Sequence, residues 1–128
     1  EIVHIEDFRK GKYILCRYDK WFSCNTVKRT LFFFWRFGNQ VHGMENDLSE
    51  PLSYSWDGEG NFYKAYGIIN DKNINKVELI LSNGDRLAQE DFYGDMFLIP
   101  WQADGPRSFS GIIAYDKNGD IIYERVYK

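Results

Sequence analysis

The chain has 128 residues, the length of one ordinary domain, so we expect a single β domain over residues 1–128. Hydrophobic residues make up 44% of the chain and charged residues 27%, a balance that is typical of a globular protein and excludes a disordered one. The net charge of −3 argues against binding to nucleic acid, which needs a basic face, and against adsorption to an anionic membrane surface.

The first half of the chain gives uneven signals. Residues 1–10 predict an edge strand or one helical turn, and residues 12–18 predict a strand. Residues 30–37 are dominated by large apolar side chains and predict a central strand buried on both faces. Residues 38–61 contain many turn formers and predict a long loop, or else a short helix near residues 45–48 or a strand at residues 52–56.

Two cysteines, Cys16 and Cys24, lie on either side of a predicted turn. An even number of cysteines in a small chain predicts a disulfide, which would close a short loop and stabilise the fold. The alternative is a pair of free, buried thiols in a cytosolic protein. The two cysteines and the distant His4 and His42 fit no zinc-ligand spacing, so we expect no metal and no cofactor.

The second half alternates more clearly between apolar and polar residues. Its predicted strands are residues 61–69, 76–82, 85–92, 96–101, 109–115 and 121–127. Asn83-Gly84 and Asn118-Gly119 predict hairpin turns, because both residue types tolerate positive φ angles. About eight strands without a helix of normal length predict an all-β fold, an antiparallel Ig-like β-sandwich, with a small β-barrel as the alternative.

Residues that suit catalysis are few. Only His4 and His42 are available as an imidazole base, and no nucleophile-elbow motif is present. The acidic residues of the 38–61 stretch are better explained as solvated loop residues than as a glycosidase pair. Residues 116–120 superficially resemble a calcium loop, but the glycine stands at the wrong position and a hairpin turn is favoured. We therefore expect a non-catalytic protein.

The segment of residues 54–63 is the most suggestive of binding. It places aromatic rings beside short polar side chains and glycines, a composition that suits a protein-interaction surface, a sugar-stacking surface or a core that flanks a tight turn. A tryptophan from a later segment is a further candidate for such a surface. The candidate binding residues are Tyr54, Trp56, Asp57, Phe62, Tyr63 and Trp101.

Four segments of the second half carry a resemblance to known proteins. They are Tyr66-Gly-Ile-Ile-Asn-Asp71, Ile74-Asn-Lys-Val-Glu-Leu79, Phe97-Leu-Ile-Pro-Trp101 and Ile113-Ala-Tyr-Asp-Lys-Asn-Gly-Asp-Ile-Ile-Tyr-Glu124. Over roughly residues 66–124 the chain is similar to small, uncharacterised exported or membrane-anchored β domains of Gram-positive bacteria. The resemblance implies a secreted or membrane-anchored, extracytoplasmic β domain and carries over no catalytic residue.

Together these observations predict an extracytoplasmic protein-interaction module. Its expected partner is another protein or a component of the cell envelope. Because the chain begins at Glu1 rather than Met, a removed signal peptide or a missing N-terminal anchor fits this prediction. The alternatives are a small-ligand or carbohydrate-binding β-barrel and an immunity or inhibitor protein, for which the acidic loop suits a basic target. An enzyme ranks last.

Overall fold

A computed structural model describes residues 1–29, 35–37, 43–103 and 107–127 of the chain. Over these residues the regular elements are twelve β-strands, and no helix is long and apolar enough to cross a membrane. The strands are β1 (Ile2–Phe8), β2 (Gly11–Tyr18), β3 (Trp21–Arg29), β4 (Trp35–Phe37), β5 (Met44–Glu45), β6 (Leu52–Glu59), β7 (Phe62–Ile69), β8 (Lys76–Leu81), β9 (Arg86–Gln89), β10 (Met96–Gln102), β11 (Phe109–Tyr115) and β12 (Ile121–Val126). The all-β prediction is confirmed, whereas the predicted count of about eight strands is not.

The strands form three antiparallel sheets, and the chain divides into two compact units, Glu1–Asn46 and Asp47–Lys128. The first unit holds the sheet β1-β2-β3-β4, in which β5 also pairs with β3. The second unit holds the sheets β10-β7-β6 and β12-β11-β8-β9. None of these sheets closes into a barrel within the described residues, so the barrel alternative is not supported. The expectation of a single domain stays a prediction.

In the first unit, a tight hairpin joins β2 to β3 at Asp19, whose φ of 53° lies in the left-handed region. Side chains on these strands alternate between faces, as the pleat of a β-strand requires. Tyr13, Leu15 and Phe22 are buried on one face, while Tyr18 at the hairpin tip is 79% exposed. The buried side chains supply the apolar face of this sheet.

The predicted disulfide is wrong, since Cys16 and Cys24 are both reduced and no disulfide joins them. In the register of β2 and β3, Cys24 lies opposite Leu15, whereas Cys16 lies opposite Ser23. Residues that face each other across an antiparallel pair point to the same side, and successive residues point to opposite sides. The Cys24 thiol therefore shares the buried face with Leu15, and the Cys16 thiol points to the other face.

In the second unit, both sheets contribute to one hydrophobic core in a sandwich-like arrangement. The buried members of this core are Leu52, Ala65, Ile69, Ile74, Val77, Leu79, Leu81, Phe97, Ile99, Trp101, Ala103, Ile112 and Ala114. On β8, the predicted alternation is confirmed, because Val77, Leu79 and Leu81 are buried. The backbone N–H of Leu98 on β10 donates to Oε1 of Gln89 on β9 at 3.0 Å, which ties the two sheets along one side.

The long loop predicted over residues 38–61 is wrong for much of its length. Residues Leu52–Glu59 form β6, which pairs with β7 without a break from Leu52 opposite Ile69 to Glu59 opposite Phe62. This outcome agrees with the alternative of a strand at residues 52–56. The alternative of a helix near residues 45–48 is wrong, because Met44–Glu45 forms β5 and a turn follows.

The central strand predicted over residues 30–37 falls largely on residues 30–34, which lie outside the described residues, as does His42. Residues Trp35–Phe37 are a strand, β4, and they pair with β3. The two hairpins predicted in the second half are confirmed. β8 and β9 join through Gly84, which has a φ of 91°, and β11 and β12 join through Gly119, which has a φ of 85°.

Candidate functional site

Five aromatic side chains from β6, β11, β12 and the residue that follows β12 meet at one side of the second unit. We call this cluster the aromatic seam; its members are Tyr54, Trp56, Phe109, Tyr123 and Tyr127. β6 is the outer strand of one sheet and β12 is the outer strand of the other, so the seam joins two sheet edges. It lies on the opposite side from β9 and β10, which are outer strands as well.

Trp56 and Phe109 are at the centre of the seam. Their ring centroids are 4.3 Å apart and their planes differ by 14°, which is a stacked arrangement. The Tyr127 ring packs against both rings at a tilt, with centroid distances of 5.5 Å to Trp56 and 5.9 Å to Phe109. Trp56 remains 41% exposed and Tyr127 38% exposed. The seam is therefore both a packed cluster and an accessible aromatic surface.

A hydrogen bond holds two tyrosines of the seam together. The hydroxyl groups of Tyr54 and Tyr127 lie 2.6 Å apart although the residues are 73 positions apart in the chain. Burial raises the pKa of Tyr54 far above its usual value, and hydrogen bonds with Tyr127 and Tyr123 raise it further. Tyr54 therefore stays a neutral hydrogen-bonding group through the physiological pH range.

A positive charge adjoins the seam. The guanidinium carbon of Arg125 lies 5.6 Å from the centroid of the Tyr127 ring, within the range of a cation–π contact. A hydrogen bond with Tyr123 raises the pKa of Arg125, and the charges that the tyrosines of the seam can carry raise it further. The seam and the adjoining Arg125 thus bring Trp, Tyr and Arg side chains together at one surface.

The structure separates the six predicted binding residues into three groups. Tyr54 and Trp56 belong to the seam. Tyr63 and Trp101 stack on each other with centroids 5.7 Å apart, and Trp101, 6% exposed, donates from Nε1 to the backbone oxygen of Arg107 at 2.7 Å. Asp57 and Phe62 occupy positions on the opposite face of the sheet, by the alternation along β6 and β7. Their roles in binding stay predictions.

Tyr63 is further held by a close backbone approach. A Cβ atom at Gly58, directly opposite on β6, would come within 2.1 Å of the Tyr63 ring. The ring therefore covers the glycine, and only a residue without a side chain fits beneath it. This contact and the stacking on Trp101 give Tyr63 a packing role.

Sequence reasoning missed Phe109, Tyr123 and Tyr127 as members of the aromatic surface. Alternation along the last strand does place Tyr123 and Tyr127 on one face. No sequence signal, however, indicates that this face meets β6, because the contact depends on how two separate sheets pack.

On the other face of the same sheet lies a buried ion pair between Asp57 and Lys64. The two residues stand directly opposite each other on β6 and β7, and the Lys64 ammonium donates to Asp57 Oδ1. The side chain of Lys64 is 1% exposed and that of Asp57 is 16% exposed. Burial raises the pKa of the Asp57 carboxyl, and the contact with Lys64 partly offsets this effect.

A polar cleft of about 470 Å³ lies between the turn at residues 71–75 and the β11–β12 turn. Asp116 Oδ1 accepts hydrogen bonds from the backbone N–H groups of Asn118 at 2.8 Å and Asp120 at 2.9 Å. The Asp116 carboxylate thus stabilises the β11–β12 hairpin turn that the sequence predicts. Among the described residues, no group of three or more His, Cys, Asp or Glu side chains is arranged to hold a metal ion.

Comparisons of the chain with protein-family models, with curated proteins and with solved structures find no match.

Proposed function

We propose that the protein is a non-catalytic interaction module that binds a partner protein through the aromatic seam. The single observation that carries this proposal is the exposure of Trp56 and Tyr127, 41% and 38%, within a packed cluster of five rings. Single exposed aromatic side chains are common on protein surfaces, but clustered ones mark contact sites.

The composition of the seam matches that of binding hot spots. Tyr, Trp and Arg are enriched among the residues that contribute most to protein–protein affinity. Rings that are already fixed by stacking lose little conformational freedom when a partner binds. Trp56 is fixed by Phe109, and Tyr127 is fixed by its hydrogen bond to Tyr54. The seam is therefore a preorganised surface.

The Ig-like character of the sandwich and the extracytoplasmic location are parts of the same proposal. The two-sheet core of the second unit supports a sandwich, and the resemblance over residues 66–124 supports export. Fractionation of source cells, with the protein followed by immunoblot, tests the location. Recovery in the envelope or secreted fraction is expected, and recovery with cytosolic markers contradicts export.

Binding is tested with Trp56→Ala and Tyr127→Ala. A candidate partner is isolated from the envelope fraction, purified, and titrated against the wild-type protein and each variant. Each substitution is expected to weaken binding by at least about tenfold, because hot-spot truncations cost more than about 1.4 kcal/mol. Tyr18→Ala is the matched control, since Tyr18 is an exposed tyrosine outside the seam.

Unchanged affinity in both seam variants, with both still folded, contradicts the proposal. A parallel glycan array separates protein binding from sugar binding. Recognition of a glycan that depends on Trp56, without a protein partner, favours the carbohydrate alternative instead.

A further inference from the structure

The buried Asp57–Lys64 pair has the placement that a covalent reaction requires. The two side chains face each other across β6 and β7 and are in direct contact. Lys64 is among the largest fully buried side chains of the described chain, together with Tyr66 and Ile68 farther along β7. The Lys64 Nζ also lies 5.9 Å from the centroid of the Tyr66 ring. A fully buried amine and a mostly buried carboxyl group are thus held in direct contact.

Burial changes the protonation state that the Asp57 carboxyl prefers. Removal from water disfavours the charged form of a carboxylic acid. Burial raises the pKa of Asp57, which makes its protonated form more accessible. Its second oxygen, Oδ2, is buried and has no hydrogen-bond partner among the described residues. A neutral amine and a protonated carboxyl are the forms that condense to an amide.

A second carboxyl group on the same face of the sheet is placed to carry protons. Glu59 follows Asp57 by two residues on β6, so its side chain points to the same face and lies diagonally across from Lys64. Its Oε2 atom is buried. A carboxyl group in this position is suited to general acid–base catalysis of the proton transfers.

We propose that Lys64 and Asp57 condense spontaneously to form an intramolecular amide bond that links β6 to β7. A proton passes from the ammonium to the carboxylate, and the neutral Nζ attacks Cγ of Asp57. The Nζ–Cγ bond forms, and Glu59 accepts the second proton from Nζ and passes it to the departing oxygen. The Cγ–O bond then breaks, the oxygen leaves as water, and Glu59 returns to its starting state. The ammonium and the carboxylate become one neutral amide and one water, so no oxidant or co-reactant is needed.

Proximity makes this reaction feasible without an enzyme. Well-oriented intramolecular groups react as if their concentration were about 10⁵–10⁸ M. The product also replaces two buried charges with one neutral group, which removes the cost of burying them. The inference concerns the opposite face of the sheet from the seam and does not depend on the proposed function.

The molecule contains a matched internal control. Asp7 and Lys12 also stand directly opposite each other on neighbouring antiparallel strands and form an ion pair. Their side chains are 77% and 37% exposed, so water solvates both charges. The same two residue types in the same register are therefore expected to remain unlinked.

The test is the intact mass of the denatured wild-type protein, purified after folding. We expect a mass lower than that of the sequence by one water molecule. Trypsin does not cut after a linked Lys64, so the peptide of residues 37–72 is expected in place of that of residues 37–64. Its fragment spectrum is expected to place the link between Asp57 and Lys64, with no link between Asp7 and Lys12.

Lys64→Arg distinguishes the amide from a cyclic imide at Asp57-Gly58, which also loses one water. Arginine keeps the ion pair but does not form the amide, so this variant is expected to have its full mass. Glu59→Gln is expected to slow the loss of water. An unchanged rate in Glu59→Gln overturns the role of Glu59.

Three results overturn the proposed bond. They are a wild-type protein of full mass after prolonged incubation, a loss of water that persists in Lys64→Arg, and a fragment spectrum that leaves Lys64 unmodified. If Lys64→Arg does not fold, the wild-type mass and fragment spectrum decide the matter by themselves.

Discussion

The indole of Trp56 lies flat against the ring of Phe109, with centroids 4.3 Å apart, although the two residues belong to different sheets. The contact closes one side of the second unit, where two sheet edges would otherwise leave the core open. The stacked pair of Trp56 and Phe109 therefore stabilises the packing of the two sheets and also forms part of the surface that we propose for binding.

Phe109→Ala is expected to destabilise the protein by about 2–3 kcal/mol. This is less than the loss of about 3–5 kcal/mol for a fully buried phenylalanine, because Phe109 is half-buried. Urea unfolding followed by circular dichroism measures the effect. Leu48→Ala, at a side chain that is 78% exposed, is the control and is expected to have little effect. Equal stabilities of the two variants would show that the seam does not hold the sheets together.

The two thiols are expected to react at different rates in the folded protein. Cys16 is half-buried and Cys24 is 0% exposed, so an alkylating reagent should label Cys16 first. Burial raises the pKa of Cys16 and outweighs an opposing effect of the N-terminal ammonium, so labelling should accelerate only at alkaline pH. Cys16→Ser identifies the labelled site. If neither sulfur reacts in denaturing, non-reducing buffer, Cys16 and Cys24 form a disulfide and the expectation of two reactive thiols is wrong.

Stability is expected to fall at alkaline pH through Tyr54. Its folded-state pKa lies above the unfolded value of 10.0, so the folded state retains a proton that the unfolded state loses. The contribution of protonated Tyr54 to the free energy of unfolding is complete below pH 10 and decreases as the pH rises above that value. Urea midpoints measured across this range test it. Tyr54→Phe should weaken the decrease of stability with rising pH. If stability falls as steeply in this variant as in the wild type, the decrease does not come from Tyr54.

Gly58→Ala is expected to displace the Tyr63 ring. The added Cβ would meet ring atoms at 2.1 Å, and overpacking of this kind costs about 1–3 kcal/mol. Near-ultraviolet circular dichroism should report loss of the Tyr63–Trp101 stacking. Gly60→Ala is the control, because its φ of 62° strains the backbone while no atom lies within 4 Å of the added group. An unchanged aromatic spectrum in Gly58→Ala would contradict this role of Gly58.

The parts of the fold that the sequence predicts are those fixed by local chemistry. Gly84 and Gly119 mark the two hairpins, and alternation identifies the buried residues of β8. β6 was obscured because Gly58 and its flanking turn formers weaken an otherwise regular alternation. Short-range signals thus suffice for these two hairpins and for β8 but not for β6.

The site was less predictable, because it depends on contacts between distant segments. Tyr54 and Trp56 were identified from composition, but their neighbours on β11 and β12 depend on the packing of two sheets. The sequence gives no reason to single out Lys64, since a lysine in a strand is ordinarily solvent-exposed. Only its position opposite Asp57 on a buried face makes it unusual.

The seam connects side chains from the outer strands of two different sheets, and this has a thermodynamic consequence. Trp56 lies on β6 of one sheet, and Tyr127 directly follows β12 of the other sheet. A partner that contacts both residues therefore holds the two sheets together. Ligands that bind only the folded state raise its stability in proportion to the logarithm of their concentration. Occupancy of the seam should therefore appear as a higher melting temperature, so that a thermal-shift screen can find a partner whose identity is not known in advance.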